Sequence, residues 1–462
     1  MEKIDLKNKK VIVMGLGLHG GGVGVARFLV KQGAQIIITD LKSERELAPS
    51  LKKLAGLPIQ FVLSKHRAKD FTEADLIIKN PSVPDESPYL AIARKHKIPI
   101  DTDMGLFFNF CPSKNIIGIT GTKGKSTTTA LIYEMVQSEN KEAKVAGNIR
   151  ISPFDILDKI QKETPVILEL SSWQLEGLAL HKISPHIACV TNIFPDHLNR
   201  YPDMKAYAEA KRNIFKFQKV KDYVIMNYDN TTLKSREFCL NLKNIYWFSQ
   251  QEKVNQGSFL QREHIIFREK NLERYIISLR DIKLKGKHNL ENILAATTVA
   301  CVYGIKRTNI QKVLKNFAGL DSRLELIRER RGVKYYNDTT STTPTSTRAA
   351  LQTFQEPVIL IAGGADKNLD FQELGRLIAK KVKYLILLSG NATPKLKQAV
   401  EKYSLKLPII MTQSMSEAVR LAKKQAQAKD IILLSPACAS FGMFQNEFDR
   451  GEQFNQNVEA LK

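Results

Sequence analysis

Glycine, lysine and hydroxyl side chains are concentrated between Gly118 and Ser126, where the sequence reads G-I-T-G-T-K-G-K-S. Glycines allow backbone N–H groups to turn inward around phosphate oxygens, and a helix that starts here adds its partial positive charge. Lys125 adds a full charge, and the Ser126 hydroxyl can hold a Mg²⁺ ion. The spacing departs from G-x-x-x-x-G-K-[ST], because Ile119 stands where the first glycine is required. The run predicts a phosphate-binding loop of a variant type rather than a flexible surface turn.

Two further polar runs follow apolar segments in the same way. Glu169 lies in the last part of the apolar run 165–170, and His197 follows the run 186–191. A carboxylate at the C-terminal end of a parallel strand points into the crevice where ligands bind, and its oxygens suit Mg²⁺. A helix-capping role for the glutamate and a structural role for the lone histidine remain open from the residues alone.

Short apolar runs separated by helix-length segments must position these residues. We predict strands over residues 11–14, 35–39, 75–78, 98–100, 115–120, 165–170, 186–191, 223–226, 358–362, 384–388, 408–411 and 431–434. Such runs without alternation, with helices between them, indicate parallel, doubly wound sheets. Residues 243–285 alternate more and predict an antiparallel patch. The fold class is therefore α/β, with three such units in succession.

The length of 462 residues also argues for about three domains, at roughly 100–200 residues each. Cys111, Pro112 and Ser113 resemble a linker, and the third unit begins near Leu320. We predict domains over residues 1–112, 113–319 and 320–462.

Composition narrows the class of protein. Hydrophobic residues make up 43% and charged residues 25%, the balance of a folded domain. No run approaches the roughly 18 apolar residues that span a bilayer, and the N-terminus lacks the order of a signal peptide, so we expect a cytoplasmic protein. The five cysteines are far apart and contain no C-x-x-C, which excludes a disulfide framework and a zinc site.

A net charge of +23 admits nucleic acid or a polyanionic substrate as a partner, beside the plainer explanation of a lysine-rich solvated surface. A nucleic-acid-binding ATPase is one alternative, although no helicase-like motif set or aromatic–basic stripe supports it. Gly15, Gly17 and Gly20, with Asp40 further on, form a dinucleotide fingerprint. An NAD(P)-binding oxidoreductase is therefore a second alternative, which leaves the Lys125 loop unexplained.

Seven separated motifs, in order along nearly the whole chain, resemble those of the Mur ligase family. They are T-G-T-K-G-K-S from Thr120, E-L-S-S-W-Q-L from Glu169, T-N-I-F-P-D-H-L-N-R-Y-P from Thr191, G-K-H-N-L-E-N from Gly286, D-S-R-L-E from Asp321, G-G-A-D-K from Gly363 and L-S-P-A-C-A-S-F from Leu434. Mur ligases use ATP to form an amide bond between a carboxylate and an amino acid, and folylpolyglutamate synthases belong to the same superfamily. The resemblance implies a Rossmann-like N-terminal domain, a central P-loop ATPase-like domain with a mostly parallel sheet, and a Rossmann-like C-terminal domain.

The resemblance also implies roles for individual residues. Lys125, Glu169, His197 and Lys211 are the expected catalytic residues. Lys211 would react with CO₂ to form a carbamate, and would then hold magnesium together with Ser126, Glu169 and His197. The expected ATP-binding residues are Gly121, Thr122, Lys123, Gly124, Lys125, Ser126, Thr127, Asn289, Asn292, Arg323 and Asp338.

The closest resemblance is to the branch of the family that joins D-glutamate to UDP-N-acetylmuramoyl-L-alanine (UDP-MurNAc-L-Ala) in peptidoglycan precursor synthesis. The expected cofactors are ATP and Mg²⁺, and we expect a monomer that binds neither nucleic acid nor a membrane. The expected contacts of the UDP substrate are Leu18, His19, Asp40, Lys42, Asn80, Asn148 and His197. The expected contacts of the amino acid are Thr342, Lys367, Ser440 and Phe441.

Five positions depart from the pattern of this branch. Leu41-Lys42 replaces a Thr-Arg pair, Ser322 a histidine, Thr340 a lysine, and Glu447 an aromatic residue. They leave the reaction class unchanged and weaken the case for D-glutamate. L-glutamate, another amino acid or a folate-like substrate therefore stays open as an alternative.

Overall fold

The part of the chain that the structure describes contains three β-sheets. The computed structural model describes residues 4–18, 20–149, 151–197, 200–240, 242–284 and 286–461. Its internal contacts form two units, Met1–Ile282 with Asn289–Asn316, and Lys283–His288 with Phe317–Lys462. The boundaries of the three predicted domains stay a prediction.

The N-terminal sheet of the first unit is entirely parallel, in the strand order β3-β2-β1-β4-β5. Its strands are β1 (Lys10–Met14), β2 (Gln35–Asp40), β3 (Ile59–Leu63), β4 (Leu76–Lys79) and β5 (Ile100–Thr102). Its helices are α1 (Gly21–Lys31), α2 (Glu44–Lys52), α3 (Asp70–Glu73), α4 (Pro88–Lys95) and α5 (Asp103–Phe110). This arrangement is the doubly wound one that strand–helix alternation predicts.

The central sheet of the first unit has nine strands in the order β14-β13-β12-β11-β10-β9-β6-β8-β7. They are β6 (Ile116–Thr120), β7 (Lys144–Gly147), β8 (Val166–Glu169), β9 (Ile187–Val190), β10 (Tyr223–Asn227), β11 (Ile245–Ser249), β12 (Gly257–Gln261), β13 (His264–Glu269) and β14 (Leu272–Ser278). The helices are α6 (Lys125–Gln137), α7 (Pro153–Ile156), α8 (Ser172–Leu180), α9 (Met204–Arg212), α10 (Thr231–Lys234), α11 (Lys287–Tyr303) and α12 (Arg307–Asn316), with 3₁₀ turns at Leu157–Lys159 and Leu279–Asp281.

The predicted antiparallel patch over residues 243–285 is only partly correct. Strand β11 pairs in parallel with both β10 and β12, and only β12, β13 and β14 pair antiparallel. Alternation of buried and exposed residues indicates that one face of a sheet meets solvent, and it does not reveal the direction of a strand.

The sheet of the second unit has the order β15-β16-β20-β17-β18-β19 and is parallel apart from β15, which pairs antiparallel with β16. Its strands are β15 (Glu325–Arg330), β16 (Val333–Asn337), β17 (Val358–Ala362), β18 (Val382–Leu388), β19 (Ile409–Thr412) and β20 (Ile431–Leu434). Its helices are α13 (Pro344–Thr353), α14 (Gln372–Lys381), α15 (Thr393–Glu401), α16 (Met415–Gln425) and α17 (Glu447–Glu459).

The apolar runs of the strands are explained by burial on both faces. In the second unit, Leu360 and Leu433 belong to one core, and their neighbours Ile359 and Ile432 belong to another. In the first unit the two sheets share a core, where Phe154 lies with its ring centroid 4.8 Å from that of Phe28. Among the helices of the described residues, none combines the length and apolar character that a bilayer crossing requires.

Candidate active site

The predicted phosphate loop lies between β6 and α6, as expected. Gly121 and Gly124 have φ angles of 150° and 82°, and a Cβ on either would lie within 2.1 Å of a neighbouring oxygen, in Thr191 and Asn292 respectively. Glycine is therefore required at both positions by space as well as by backbone conformation. The loop is held from the next strand, because Thr122 N donates to Asn192 O at 2.9 Å.

Two lysines converge on the carbonyl oxygen of Gly121. The Nζ atom of Lys125 donates to it at 2.9 Å, and that of Lys211 donates to it at 3.0 Å. Lys211 is only 2% exposed and lies over the Tyr207 ring, with its Nζ 4.7 Å from the centroid. Burial, with the nearby charges of Lys125 and Lys123, holds the pKa of Lys211 well below its usual range. The surface lysine that sequence alone would assign is thus a buried amine beside the phosphate loop.

Glu169 ends β8 with its carboxylate almost wholly buried, at 1% exposure. Its Oε1 accepts a hydrogen bond from Asn148 Nδ2 at 2.8 Å, while its Oε2 has no hydrogen-bond partner among the described residues. A buried oxygen without a partner is costly, and a cation is one way to satisfy it.

The loop after β9 carries Asp196 and His197. The His197 backbone is left-handed, with φ of 55°, and its N–H donates to Asp196 Oδ1 at 3.0 Å. Its ring lies 5.3 Å from Trp173 and 6.0 Å from Tyr207, centroid to centroid. Burial lowers the pKa of His197 against the opposing charge of Asp196, and the charges of Lys211 and Lys125 lower it further. His197 is therefore held as a neutral imidazole, the form that can bind a metal.

These residues fit a magnesium site in part. Among the described residues no group of three or more His, Cys, Asp or Glu side chains lies together. Glu169 and His197 would therefore need further oxygen donors, which the Ser126 hydroxyl and a carbamate on Lys211 would supply. The unpartnered Glu169 Oε2 and the lowered pKa of Lys211 are the two observations that fit such a site.

Asn289 and Asn292 lie buried at the start of α11, at 6% and 5% exposure. Asn292 Nδ2 donates to Asn289 Oδ1 at 3.2 Å, and Asn292 Oδ1 accepts from Thr128 Oγ1 at 3.4 Å. The Asn292 amide therefore supports the first turn of α6 and the glycine that precedes it. Contacts of these amides with adenine and phosphate stay a prediction.

The N-terminal sheet carries a cavity of about 440 Å³ at the ends of its strands, lined by Met14, Gly15, Gly17, Asp40, Leu41, Lys42, His66, Asn80, Ser82, Val83, Pro84, Ser87, Pro88 and Tyr89. Asp40 Oδ2 accepts from the backbone N–H groups of Leu16 and Gly17 at 2.9 and 3.2 Å, and its Oδ1 accepts from that of Lys42 at 2.9 Å. The carboxylate thus braces the glycine loop. The structure brings three of the predicted UDP contacts together here, namely Asp40, Lys42 and Asn80.

Of the other predicted UDP contacts, Leu18, Asn148 and His197 do not line this cavity. Leu18 belongs to the glycine loop and is 45% exposed, and His19 lies outside the described residues. Asn148 lies beside Glu169 at the end of the central sheet.

In the second unit, Asp338 follows β16 and Ser435 follows β20, so two parallel strand ends meet. Ser435 Oγ donates to Asp338 Oδ2 at 2.7 Å, and Leu324 N donates to Oδ1 at 3.3 Å. Burial raises the pKa of Asp338 to about 6 despite these donors. Arg323, the predicted phosphate partner, directly precedes Leu324 in the chain.

The predicted amino-acid contacts also lie near one another in this unit. Lys367 Nζ donates to Thr342 Oγ1 at 3.3 Å. Ala365 and Ala439 exchange backbone hydrogen bonds at 2.9 and 3.1 Å, which brings the Lys367 loop beside the loop of Ser440. Ser440 is 4% exposed, whereas the Phe441 side chain is 65% exposed.

Sequence reasoning missed two residues that support loops carrying predicted site residues, one in each unit. Arg450 in α17 is fully buried; its Nη2 donates to Thr339 O at 2.8 Å and its Nη1 to Cys438 O at 3.2 Å. Burial lowers its pKa to about 10. Asp196 was visible in the sequence only as the neighbour of His197. The signal for Arg450 was a charged residue among the apolar positions of a helix.

Family models match in three stretches: a Mur ligase MurD-like N-terminal domain over residues 9–101, a Mur ligase middle domain over residues 119–300, and a Mur ligase glutamate ligase domain over residues 322–438. The UDP-N-acetylmuramoylalanine–D-glutamate ligase of Roseiflexus sp. (strain RS-1) is 44% identical over 466 residues, which cover 99% of this chain and 100% of that protein. The ligase of the same name from Clostridium tetani is 38% identical and covers 98% of this chain and 97% of its own length.

Solved structures show a similar fold. A UDP-N-acetylmuramate–alanine ligase from Thermotoga maritima has a TM-score of 0.63 at 20% identity, covering 98% of this chain and 100% of its own. A pseudomurein peptide ligase type C from Methanothermus fervidus has a TM-score of 0.58 at 17% identity, with the same coverage of 98% and 100%. At these identities the likeness concerns the fold alone.

Proposed function

Because this chain belongs to the Mur ligase family, we propose that it is the ATP-dependent ligase that joins D-glutamate to UDP-MurNAc-L-Ala in peptidoglycan precursor synthesis. The observation that carries this function is 44% identity to a ligase of that name over the full length of both proteins. The family and the three-domain α/β architecture expected from the motifs are confirmed. The alternatives of an oxidoreductase and a nucleic-acid-binding ATPase leave this identity unexplained.

The reaction has two steps. The alanyl carboxylate of the UDP substrate attacks the γ-phosphorus of ATP and forms an acyl phosphate. The bond from that phosphorus to the β,γ-bridging oxygen breaks, and ADP leaves. The amine of D-glutamate then attacks the acyl carbon, and inorganic phosphate leaves the tetrahedral intermediate as the amide forms and the amine loses a proton. The protein contributes mainly positioning and charge neutralisation.

The phosphate loop supplies the charge for the first step. Lys125 would turn from the Gly121 carbonyl toward the transferring phosphate, while Gly121, Thr122, Gly124, Thr127 and the backbone of Lys123 would surround the nucleotide. Bound Mg²⁺ would neutralise phosphate charge. Ser126, Glu169, His197 and a carbamylated Lys211 would hold it, which is supported by the unpartnered Glu169 Oε2. Asn289, Asn292, Arg323 and Asp338 complete the proposed nucleotide contacts.

The two remaining substrates have proposed sites of their own. The cavity beside Asp40, Lys42 and Asn80 would take the UDP portion, with Leu18 in the adjoining glycine loop. We also assign His19, which lies outside the described residues, to this substrate. We assign Asn148 and His197 to the muramoyl end of the substrate. The Lys367 ammonium would pair with one carboxylate of D-glutamate, and Thr342, Ser440 and Phe441 would contact the rest. We further propose a cytoplasmic monomer that binds neither nucleic acid nor a membrane.

One assay tests the function and the choice of amino acid. ADP release is measured with UDP-MurNAc-L-Ala and ATP in the presence of D-glutamate, L-glutamate, D-alanine or a folate substrate. We expect turnover with D-glutamate, and kcat/KM lower by about 10²-fold or more for D-alanine, because polar groups of the pocket would be left unpaired. Release of ADP with L-glutamate or the folate substrate but not with D-glutamate would overturn the proposal.

A further inference from the structure

Lys123 has a backbone that is fixed on both sides and a side chain that leaves the phosphate loop. Its N–H donates to Asn192 Oδ1 at 2.9 Å, and its carbonyl oxygen accepts from Thr191 Oγ1 at 2.6 Å. The side chain crosses to the next loop, where its Nζ lies 3.3 Å from Asp196 Oδ2. The ion pair therefore joins the phosphate loop to the loop that carries His197.

Asp196 connects this ion pair to the backbone of His197. One carboxylate oxygen faces Lys123, and the other accepts the His197 N–H at 3.0 Å. The left-handed backbone of His197, with φ of 55°, is unfavourable for a residue with a Cβ and persists only where the surroundings hold it. The same turn directs the imidazole between Trp173 and Tyr207.

We propose that Lys123 is a positioning residue that acts through Asp196 on His197, so that the phosphate loop and the imidazole keep one fixed spacing during the reaction. This inference rests on the proposed ligase function. It differs from direct phosphate binding by Lys123, because the charge of the lysine is directed to the carboxylate. The part of Asp196 is to carry that restraint into the backbone of the neighbouring residue.

A double-mutant cycle distinguishes positioning of His197 through Asp196 from direct phosphate binding by Lys123. Lys123→Met, Asp196→Asn and the double variant are compared with the wild type by ADP release with all three substrates. We expect each single substitution to lower kcat by about tenfold or more, since small misplacements of catalytic groups have effects of this size. We expect KM for ATP to stay within about threefold of the wild type. The double variant should be no slower than the slower single variant, because both remove the same restraint.

Three further measurements make the test specific. Lys123→Arg should recover most of kcat, because arginine can still reach the carboxylate. The Kd of ADP without metal, by calorimetry, should be unchanged in every variant. Substitution of the exposed pair Lys205 and Glu237, which lie 2.8 Å apart on the same unit, should leave kcat as in the wild type.

One adverse result is that Lys123→Met raises KM for ATP or weakens ADP binding by the same factor whether or not Asp196 is replaced by asparagine. That result would show that Lys123 binds the nucleotide independently of Asp196, and it would overturn the inference. Unchanged kcat in Lys123→Met overturns it equally. Wild-type turnover with D-glutamate tests the ligase function separately, so the failure of the one is distinguishable from the failure of the other. Thermal unfolding curves that match the wild type will establish that the Lys123, Asp196, Lys205 and Glu237 variants are folded.

Discussion

The side-chain amines of Lys125 and Lys211 donate to the same acceptor, the carbonyl oxygen of Gly121, at 2.9 and 3.0 Å. Burial disfavours the charged form of Lys211, and the charge of Lys125, which shares its acceptor, disfavours it further. The pKa of Lys211 is lowered for these reasons. A neutral amine is the form that reacts with CO₂, so the arrangement favours a carbamate at Lys211.

The first prediction concerns that carbamate. Lys211→Ala should lower kcat by about 10²–10³-fold, the size of effect seen when one preorganised electrostatic group is lost. Acetate should restore part of the activity, because a small carboxylate can fill the space left by the side chain. Incubation of the wild-type protein with ¹³C-bicarbonate should give a carbamate signal by NMR that Lys211→Ala lacks.

Lys216→Ala is the matched control, since Lys216 pairs with Glu209 on the surface. It should retain both full activity and the carbamate signal. Full activity of Lys211→Ala without added carboxylate would rule out the role assigned to Lys211.

The second prediction concerns Lys125. Lys125→Ala should lower the rate of ADP formation by about 10²–10³-fold, because it removes the charge placed at the start of α6 to follow the transferring phosphate. Stopped-time assays of ADP with all substrates present measure this. The exposed Lys141 serves as a control, and Lys141→Ala should behave as the wild type. Near-normal rates in Lys125→Ala would remove the basis for the phosphate-loop assignment.

The third prediction follows from the pKa of Asp338, which burial raises to about 6. A raised pKa means that the folded state binds the proton more tightly than the unfolded state does. The stabilisation from the protonated form is complete below the unfolded value near 4 and is lost as the pH rises through about 6. Above that range the protein buries a charged carboxylate at a cost on the order of 1–3 kcal/mol.

Asp338→Asn should therefore raise the Tm relative to the wild type at pH 7.5, while weakening ATP binding. The difference in Tm should shrink as the pH is lowered toward about 4.5. Calorimetric scans across this range measure it, with Asp155→Asn as a control because Asp155 is an exposed acid of the other unit. A difference in Tm that does not vary with pH would contradict the assignment.

The fourth prediction concerns Asp40, whose carboxylate accepts hydrogen bonds from three backbone N–H groups. Two belong to the glycine loop and the third to Lys42. Asp40→Ala should raise KM for UDP-MurNAc-L-Ala by about tenfold or more, because buried donors lose their acceptor at roughly 1–3 kcal/mol. The kcat should change much less, since Asp40 is expected to contact the UDP portion rather than the reacting carboxyl group. Titration of the wild type with NADH should show no binding, and tight NADH binding would revive the oxidoreductase alternative.

Most central strands of the fold could be predicted from sequence, whereas several edge strands could not. The runs at β1, β17 and β20 are buried on both faces and read as continuous apolar segments. The strands β3, β7 and β15 received no prediction, and each lies at the edge of its sheet. Strands β5 and β19, also at edges, were predicted over 98–100 and 408–411 and run over Ile100–Thr102 and Ile409–Thr412. An edge strand meets solvent along one side, so its sequence can lack the apolar run on which the prediction depends.

The site follows a similar division. Motifs that end a strand, such as Glu169 and the phosphate loop, could be predicted because parallel strand ends share one edge of the sheet. The burial of Lys211 and its contact with Gly121 join residues 90 positions apart. The ion pair of Lys123 with Asp196 spans 73 positions. No local pattern encodes such contacts, because they depend on how α9 and the loop after β9 pack against the phosphate loop.

The support that Asn292 gives to the phosphate loop has a consequence for how the protein matures. The loop and α6 are synthesised early, yet the Thr128–Asn292 contact that supports them spans 164 residues. On the ribosome, the phosphate loop therefore emerges well before α11, the helix that supports it. Contacts of such long sequence separation close late, because chain entropy must be lost before they form. We therefore expect the nascent chain to bind a nucleotide at this loop only after α11 has docked, so that nucleotide binding would report the completed folding of the first unit.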